Sequence, residues 1–235
     1  MKIQPLTANS LIVYLGASID HAVAHKVGTA TERIRNELAD YVVDMVPSYH
    51  SIHLTYNLGK TNFFDFQALL RNLLVDINQQ SFKEVQSTVI EIPVYYGPEV
   101  SWDMDHIVQY THRSAEEIID IHTSELYTVY AIGFSPGFAY LGNIDQQIAL
   151  PRKATPRTRV PAGSLGIADT QTAIYPSESP GGWQILGRTP ISLVDFQQAS
   201  LTPIKMGDLV KFIAIDRQAF LSLGGTLEGE NNHGI

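Results

Sequence analysis

The chain changes texture near Tyr127, and that change limits its fold more than any other feature. Beyond that point Gly and Pro interrupt the sequence every few residues, leaving short apolar runs at residues 127–132, 173–175, 191–194 and 209–213. Runs this short cannot bury a core as helices; between turn formers they suit the strands of a closed β-barrel or sandwich. The first third reads differently. An apolar run at 11–15 is followed by Asp20, an N-cap residue, and by Val23, Val27, Ala30, Ile34 and Leu38, which recur every three or four positions and so share one helix face. Residues 42–46 and 52–56 read as strands, and Phe63, Phe66, Leu69, Leu70, Leu73, Leu74 and Ile77 form a second amphipathic pattern. With a strand at 89–96 the order is β-α-β-β-α-β, the split βαβ of a ferredoxin-like domain.

The expected fold class is therefore α+β. Two domains fit the 235 residues: a ferredoxin-like α/β sandwich at 1–86 and a β-barrel domain at 87–235. A helical section at 103–123 opens the second, with Ser114 and Glu117 spaced as a capping box.

Composition narrows the chemistry. There is no cysteine, which removes disulfides, thiolate metal sites and a cysteine nucleophile together. A net charge of -8 repels a phosphate backbone, so nucleic acid is not an expected partner. No stretch reaches the ~20 apolar residues of a bilayer span, and Met1-Lys2-Ile3-Gln4-Pro5 lacks the apolar core of a secretory signal. The expected location is the cytoplasm. The cations are clustered, however: Arg152, Lys153, Arg157 and Arg159 share one short stretch, a local anion site within an acidic chain.

Several motifs fail on inspection. Gly133-Phe134-Ser135-Pro136-Gly137 matches the G-x-S-x-G nucleophile elbow, but the elbow uses the N–H after the serine as an oxyanion donor, and Pro136 has none. Gly59-Lys60-Thr61 resembles the end of a P-loop, yet Leu54 stands where the first glycine belongs. His21 and His25 lie one helical turn apart without a completing carboxylate, and His50 and His53 would point to opposite faces of a strand. In Trp102-Asp103-Met104-Asp105 the aspartates read as helix caps and dipole partners. No metal site is expected.

The informative residues lie in two runs. The first is 133–142, Gly-Phe-Ser-Pro-Gly-Phe-Ala-Tyr-Leu-Gly; the second extends from Pro151-Arg152 through Val160-Pro161-Ala162-Gly163-Ser164 to Pro180-Gly181-Gly182-Trp183 and Arg188-Thr189-Pro190. Aromatics beside close-approach glycines and four cations make a surface for a flat, anionic or carbonyl-bearing ligand.

On these runs, with Gln171-Thr172 before Ile174-Tyr175-Pro176, the chain resembles the family of 5-oxoprolinase B subunits, also known as allophanate hydrolase subunit 1 and related to the kinase inhibitor KipI. Ala173 departs from the pattern, standing where a glycine is expected. The resemblance implies a cyclophilin-like barrel of the carboxyltransferase type for the C-terminal domain. It also implies a component of an ATP-dependent 5-oxoprolinase, inactive or nearly so alone, that works with subunits C and A. ATP and Mg would act in the assembled complex, with no cofactor bound to the isolated chain. Two alternatives follow from the same resemblance: a regulator that binds and inhibits a sensor histidine kinase, and a subunit of an allophanate- or urea-metabolising enzyme.

For the enzyme, Arg157 and His122 are the expected catalytic residues, His122 handling protons. The expected substrate-binding residues are Phe134, Pro136, Gly137, Phe138 and Tyr140 on the first run, Arg152, Arg159, Gln171, Thr172 and Tyr175 along the second, and Gly181, Gly182, Trp183 and Arg188 at its end.

Overall fold

The computed structural model describes residues 1–78, 89–198 and 201–227. Among these, residues 1–78, 130–132 and 205–208 form one compact unit, and 89–129, 133–198, 201–204 and 209–227 form a second. The expected domain boundary at residue 86 lies outside the described residues.

In the first unit, β1 (Lys2–Thr7), β2 (Ser10–Tyr14), β3 (Val42–Ser48) and β4 (Ser51–Tyr56) make an antiparallel sheet in the order β1-β2-β4-β3. Helix α1 (His21–Glu37) starts at Asp20, whose carboxylate accepts the Val23 N–H at 2.9 Å. Its buried face carries Val23, Val27, Ala30 and Ile34, as the periodicity requires. Helix α2 (Phe63–Leu73), capped by Asn62, buries Phe66 and Leu70. These side chains join Leu11, Val13, Ile52, Leu54 and Tyr56 in one apolar core, each large buried side chain contributing about 1.5–3 kcal/mol.

The expected closing strand is a correction. Residues 89–96 do not join this sheet: β5 (Val89–Tyr95) pairs in parallel along its length with β13 (Leu209–Ile215) in the second unit. The place beside β2 belongs instead to β1, which escapes the periodicity because only Ile3 of its six residues is buried. Pro5 is tolerated there because β1 is an edge strand. The β-α-β-β-α-β order thus does not describe this sheet.

In the second unit seven strands close on themselves. Beyond β5 and β13 they are β6 (Tyr127–Ile132), β7 (Ala139–Gly142), β9 (Ser164–Ala168), β10 (Gln171–Ile174) and β12 (Gln184–Arg188), in the order β6-β13-β5-β12-β9-β10-β7, with β7 pairing back to β6. The barrel expected from the Gly and Pro spacing is therefore present. A small separate sheet pairs β8 (Arg157–Val160) with β11 (Ser179–Gly181). Gly163, before β9, has φ 78°, and a Cβ there would lie 2.5 Å from the Thr189 carbonyl oxygen, so the turn admits only glycine without strain.

The helical section is two helices, α3 (Met104–Thr111) and α4 (Ala115–Ser124). His112 adopts a left-handed conformation, φ 57°, that ends α3. Ser114 and Glu117 then form the complete capping box of α4. A short α5 (Arg217–Ser222) follows β13. No described helix is long and apolar enough to cross a membrane.

Candidate functional site

Asp103 organises the site. Its side chain does not cap α3, which corrects the helix-cap expectation. The carboxylate, 3% exposed, accepts from Arg157 Nη1 at 2.8 Å and Nη2 at 2.7 Å, from Lys153 Nζ at 3.0 Å, and from the Ile185 N–H at 2.7 Å. Its own N–H donates to the Ile185 carbonyl at 3.0 Å, so α3 and β12 grip each other through this one residue. Burial alone would push the carboxyl pKa up; the hydrogen bonds from Arg157, the Ile185 amide and Lys153 outweigh it and hold it below the ordinary value. Two cations on one carboxylate leave the cluster with a net positive charge.

The backbone around the cluster is pinned. β8 and β11 set Arg157 opposite Gly181. The loop before β8 is tied at two points: Lys153 N–H donates to the Gly182 carbonyl at 2.7 Å, and Gln184 Nε2 donates to the Pro151 carbonyl at 3.0 Å. Arg152 lies between these ties. Its guanidinium sits 5.8 Å above the Trp183 ring, while those of Arg157 and Arg188 lie 5.4 and 5.9 Å from the Trp102 ring.

The aromatic wall is centred on Phe138. Its ring meets Phe134, Tyr140, Tyr175 and Trp183 edge-on at 5.3, 4.9, 5.4 and 5.7 Å. The turn before β7 presents this wall. Phe134, at φ 71°, is 67% exposed; Gly137, at φ 79°, has no room for a Cβ, which would fall 2.3 Å from the Val194 side chain. The Ala173 methyl is buried in the same cluster. Burial pushes the Tyr175 hydroxyl pKa up, against a hydrogen bond with the Trp183 backbone and the charges of Arg152 and Arg157. A cleft of about 200 Å³ is lined in part by Tyr175, Pro176, Arg188 and Thr189.

The structure thus brings together Phe134, Gly137, Phe138, Tyr140, Arg152, Arg157, Tyr175, Gly181, Gly182 and Trp183, with Arg188 reached through Trp102. Pro136 is exposed in the same turn. Other expected residues stand apart. Arg159 points outward, 69% exposed, and pairs with Glu178 at 2.7 Å. Gln171 opens β10 opposite Gly142 and Ala168.

His122 is enclosed in the barrel unit. It is fully buried, with Phe212 stacked at 4.9 Å and Tyr127 at 5.2 Å. Thr172 Oγ1 donates to the Gly166 carbonyl at 3.1 Å, so it accepts from His122 Nε2, also at 3.1 Å; Nδ1 then accepts from the Tyr96 hydroxyl at 3.0 Å. Burial lowers its pKa to about 3. Both nitrogens are occupied and the ring is neutral, so His122 and Thr172 form a buried hydrogen-bonded pair.

Sequence reasoning missed Asp103 and Trp102. The one signal was the Trp-Asp pair itself, since an aspartate beside a tryptophan has a ring to support the cations it attracts. Ser135 has a buried hydroxyl with no hydrogen bond among the described residues, so no base activates it. Gly59 sits in a turn closed by its N–H to Asn57 at 2.9 Å, not in a phosphate loop. Among the described residues no three His, Asp or Glu side chains gather as a metal site.

Residues 1–204 match the family described as carboxyltransferase domain, subdomain C and D. The 5-oxoprolinase B subunit of Bacillus subtilis is 34% identical over 93% of this chain and 95% of its own length. That of Haemophilus influenzae is 46% identical over 65% of this chain and 72% of its own. Among solved structures, TTHA0988 superposes with a TM-score of 0.77 at 29% identity, covering 89% of this chain, which spans 40% of that longer one. The urea amidolyase of K. lactis, at 17% identity and TM-score 0.67 over 91% of this chain and 15% of its own, shares the fold. The chain therefore belongs to the carboxyltransferase subdomain C and D family, among relatives named as 5-oxoprolinase B subunits.

Proposed function

We propose that this chain is the B subunit of an ATP-dependent 5-oxoprolinase, working with subunits C and A to open 5-oxoproline to glutamate. The observation that carries this reading is the Asp103-anchored pair Arg157 and Lys153 beside the Trp183 and Phe138 wall, in a chain whose curated relatives bear that name.

A lactam carbonyl is a poor electrophile. Transfer of the terminal phosphoryl group of ATP, bound with Mg in the assembled complex, to the lactam oxygen would give an imidate-like phosphate and ADP; water then adds at the ring carbon, the C–N bond breaks to leave an acyl phosphate, and a second water displaces the phosphate to yield glutamate. Phosphoryl transfer depends mainly on positioning and charge neutralisation. Arg157 would serve both. Asp103 fixes its guanidinium plane with two hydrogen bonds, and the uncompensated positive charge of the cluster stabilises negative charge developing on the transferred group. Phe134, 67% exposed, and the half-buried Tyr140 would offer an apolar surface to the ring, backed by the buried Phe138 and Trp183. The isolated chain, holding half a site, is expected to be inert towards ATP and esters.

The test is to reconstitute the chain with its partner subunits and assay ATP-dependent glutamate formation from 5-oxoproline. Arg157→Ala and Trp183→Ala should each abolish most turnover without preventing assembly. Normal activity in both variants would move the site elsewhere. Failure to assemble, combined with tight binding to a sensor histidine kinase, would replace the enzyme by the regulator.

A further inference from the structure

We infer that Arg152 is the specificity residue of this site, recognising the carboxylate of a small cyclic substrate, while Lys153 and Arg157 are committed to the reacting end. The inference rests on the function proposed above and assigns one residue of this chain to the carboxylate of its lactam substrate.

The four clustered cations divide by their partners. Arg159 is neutralised by Glu178 in solvent. Lys153 and Arg157 share Asp103. Arg152 alone of the four has neither an acidic partner nor a hydrogen bond among the described residues. Its guanidinium lies instead over the Trp183 ring, which holds the cation without consuming a single N–H donor. All five donors remain for an anion, and a planar fork pairs with a carboxylate through two of them.

An exposed arginine is ordinarily a poor binding group, because its ordering costs side-chain entropy. Here that cost is reduced before a ligand arrives. The backbone is tied on both sides, at Pro151 by Gln184 and at Lys153 by Gly182, and the side chain rests on a ring that is itself 5% exposed and packed against Phe138. Arg157 stands opposite Gly181 and the Arg152 guanidinium lies over Trp183, so the two side chains flank one short segment of backbone. A ligand there would meet one arginine already bound to an acid and one still lacking an acid.

The assay is steady-state kinetics of the assembled complex with 5-oxoproline and with 2-pyrrolidinone, the same ring without the carboxylate. Arg152→Ala should raise KM for 5-oxoproline about tenfold or more, the loss of a charge-assisted hydrogen-bond pair, with kcat within about twofold. Arg152→Lys should recover part of the loss, and ATP cleavage stimulated by 2-pyrrolidinone should be unaffected by either variant. An unchanged KM for 5-oxoproline in Arg152→Ala overturns the inference and leaves the function standing. A raised KM for ATP instead assigns Arg152 to a phosphate and also overturns it. If the wild-type complex does not turn over 5-oxoproline, the functional proposal falls. The inference is then decided by titrating the chain with 5-oxoproline and 2-pyrrolidinone while following tryptophan emission. A saturable change with the first compound alone, absent in Arg152→Ala, supports it; equal responses, or none, overturn it.

Discussion

Protonation of His122 should be the main acid weakness of the barrel unit. The ring is enclosed, accepts at Nδ1 from Tyr96 and has a pKa lowered by burial from 6.5 to about 3. A histidine depressed on folding contributes stability that is complete above its unfolded pKa and is lost as pH falls through that value towards the folded one. The unfolded chain then gains a proton that the folded one cannot take. At about pH 5 this costs RT ln(1 + 10^1.5), about 2 kcal/mol; at about pH 7.5 it is about 0.1 kcal/mol. Both tryptophans, Trp102 and Trp183, lie in the barrel unit, so denaturant unfolding followed by tryptophan emission reports that unit and not His25, whose pKa is also lowered by burial but in the first unit. His122→Phe keeps a ring against Phe212 but leaves the Tyr96 hydroxyl without an acceptor, at about 1–3 kcal/mol. Its absolute stability should therefore fall, while the difference between the two pH values shrinks by about 2 kcal/mol. An unchanged pH dependence in the variant would refute the burial argument.

Three other outcomes follow from the geometry. Asp103→Asn leaves Arg157 and Lys153 without their counter-charge and should cost about 3–5 kcal/mol by the same unfolding assay; because its pKa is depressed, the contribution it removes is present above the ordinary carboxylate pKa and lost as pH falls through the folded value. A loss under about 1 kcal/mol would show the cluster to be solvated. Gly163→Ala, with φ 78° and a Cβ 2.5 Å from the Thr189 oxygen, should destabilise by about 2 kcal/mol or more, and a change within about 0.5 kcal/mol would contradict it. Ser114→Ala removes the cap of α4 and should cost about 1 kcal/mol, measurable as a lower midpoint in the same titration.

What could be read from the residues alone divides by the range of the forces involved. The faces of α1 and α2 were legible because a helix records its burial every three or four residues, and the capping box of α4 because it is a contact over three residues. The barrel was legible as a spacing of turn formers. Strand partners were not. The run at Val89–Tyr95 reads the same whether it closes the first sheet or pairs with β13, since its apolar pattern says that it is buried and not against what. β1 left almost no mark because only Ile3 faces the core. In the site the aromatics show through their density with glycine, whereas the burial of His122 against Tyr127 and Phe212 leaves no mark, because a sequence does not distinguish a histidine in a cleft from one in a core.

Asp103 eluded the sequence for a physical reason that also bears on function. Its partners stand 50, 54 and 82 residues away along the chain, and no local pattern encodes contacts of that separation. Such contacts cannot form until the strands that carry them are paired, because each closes a long loop whose entropy must be offset by packing already in place. The carboxylate consequently meets Arg157, Lys153 and the Ile185 amide only in a barrel that is otherwise complete. Before that, the cations of the 151–159 stretch are solvated and mobile; afterwards two of them are held to one acid and Arg152 is left on its tryptophan. The site therefore has no existence apart from the closed barrel, and substitutions that loosen β12, where Ile185 lies on the same strand as Gln184 and Arg188, should lower activity and stability together even when they touch none of the cations.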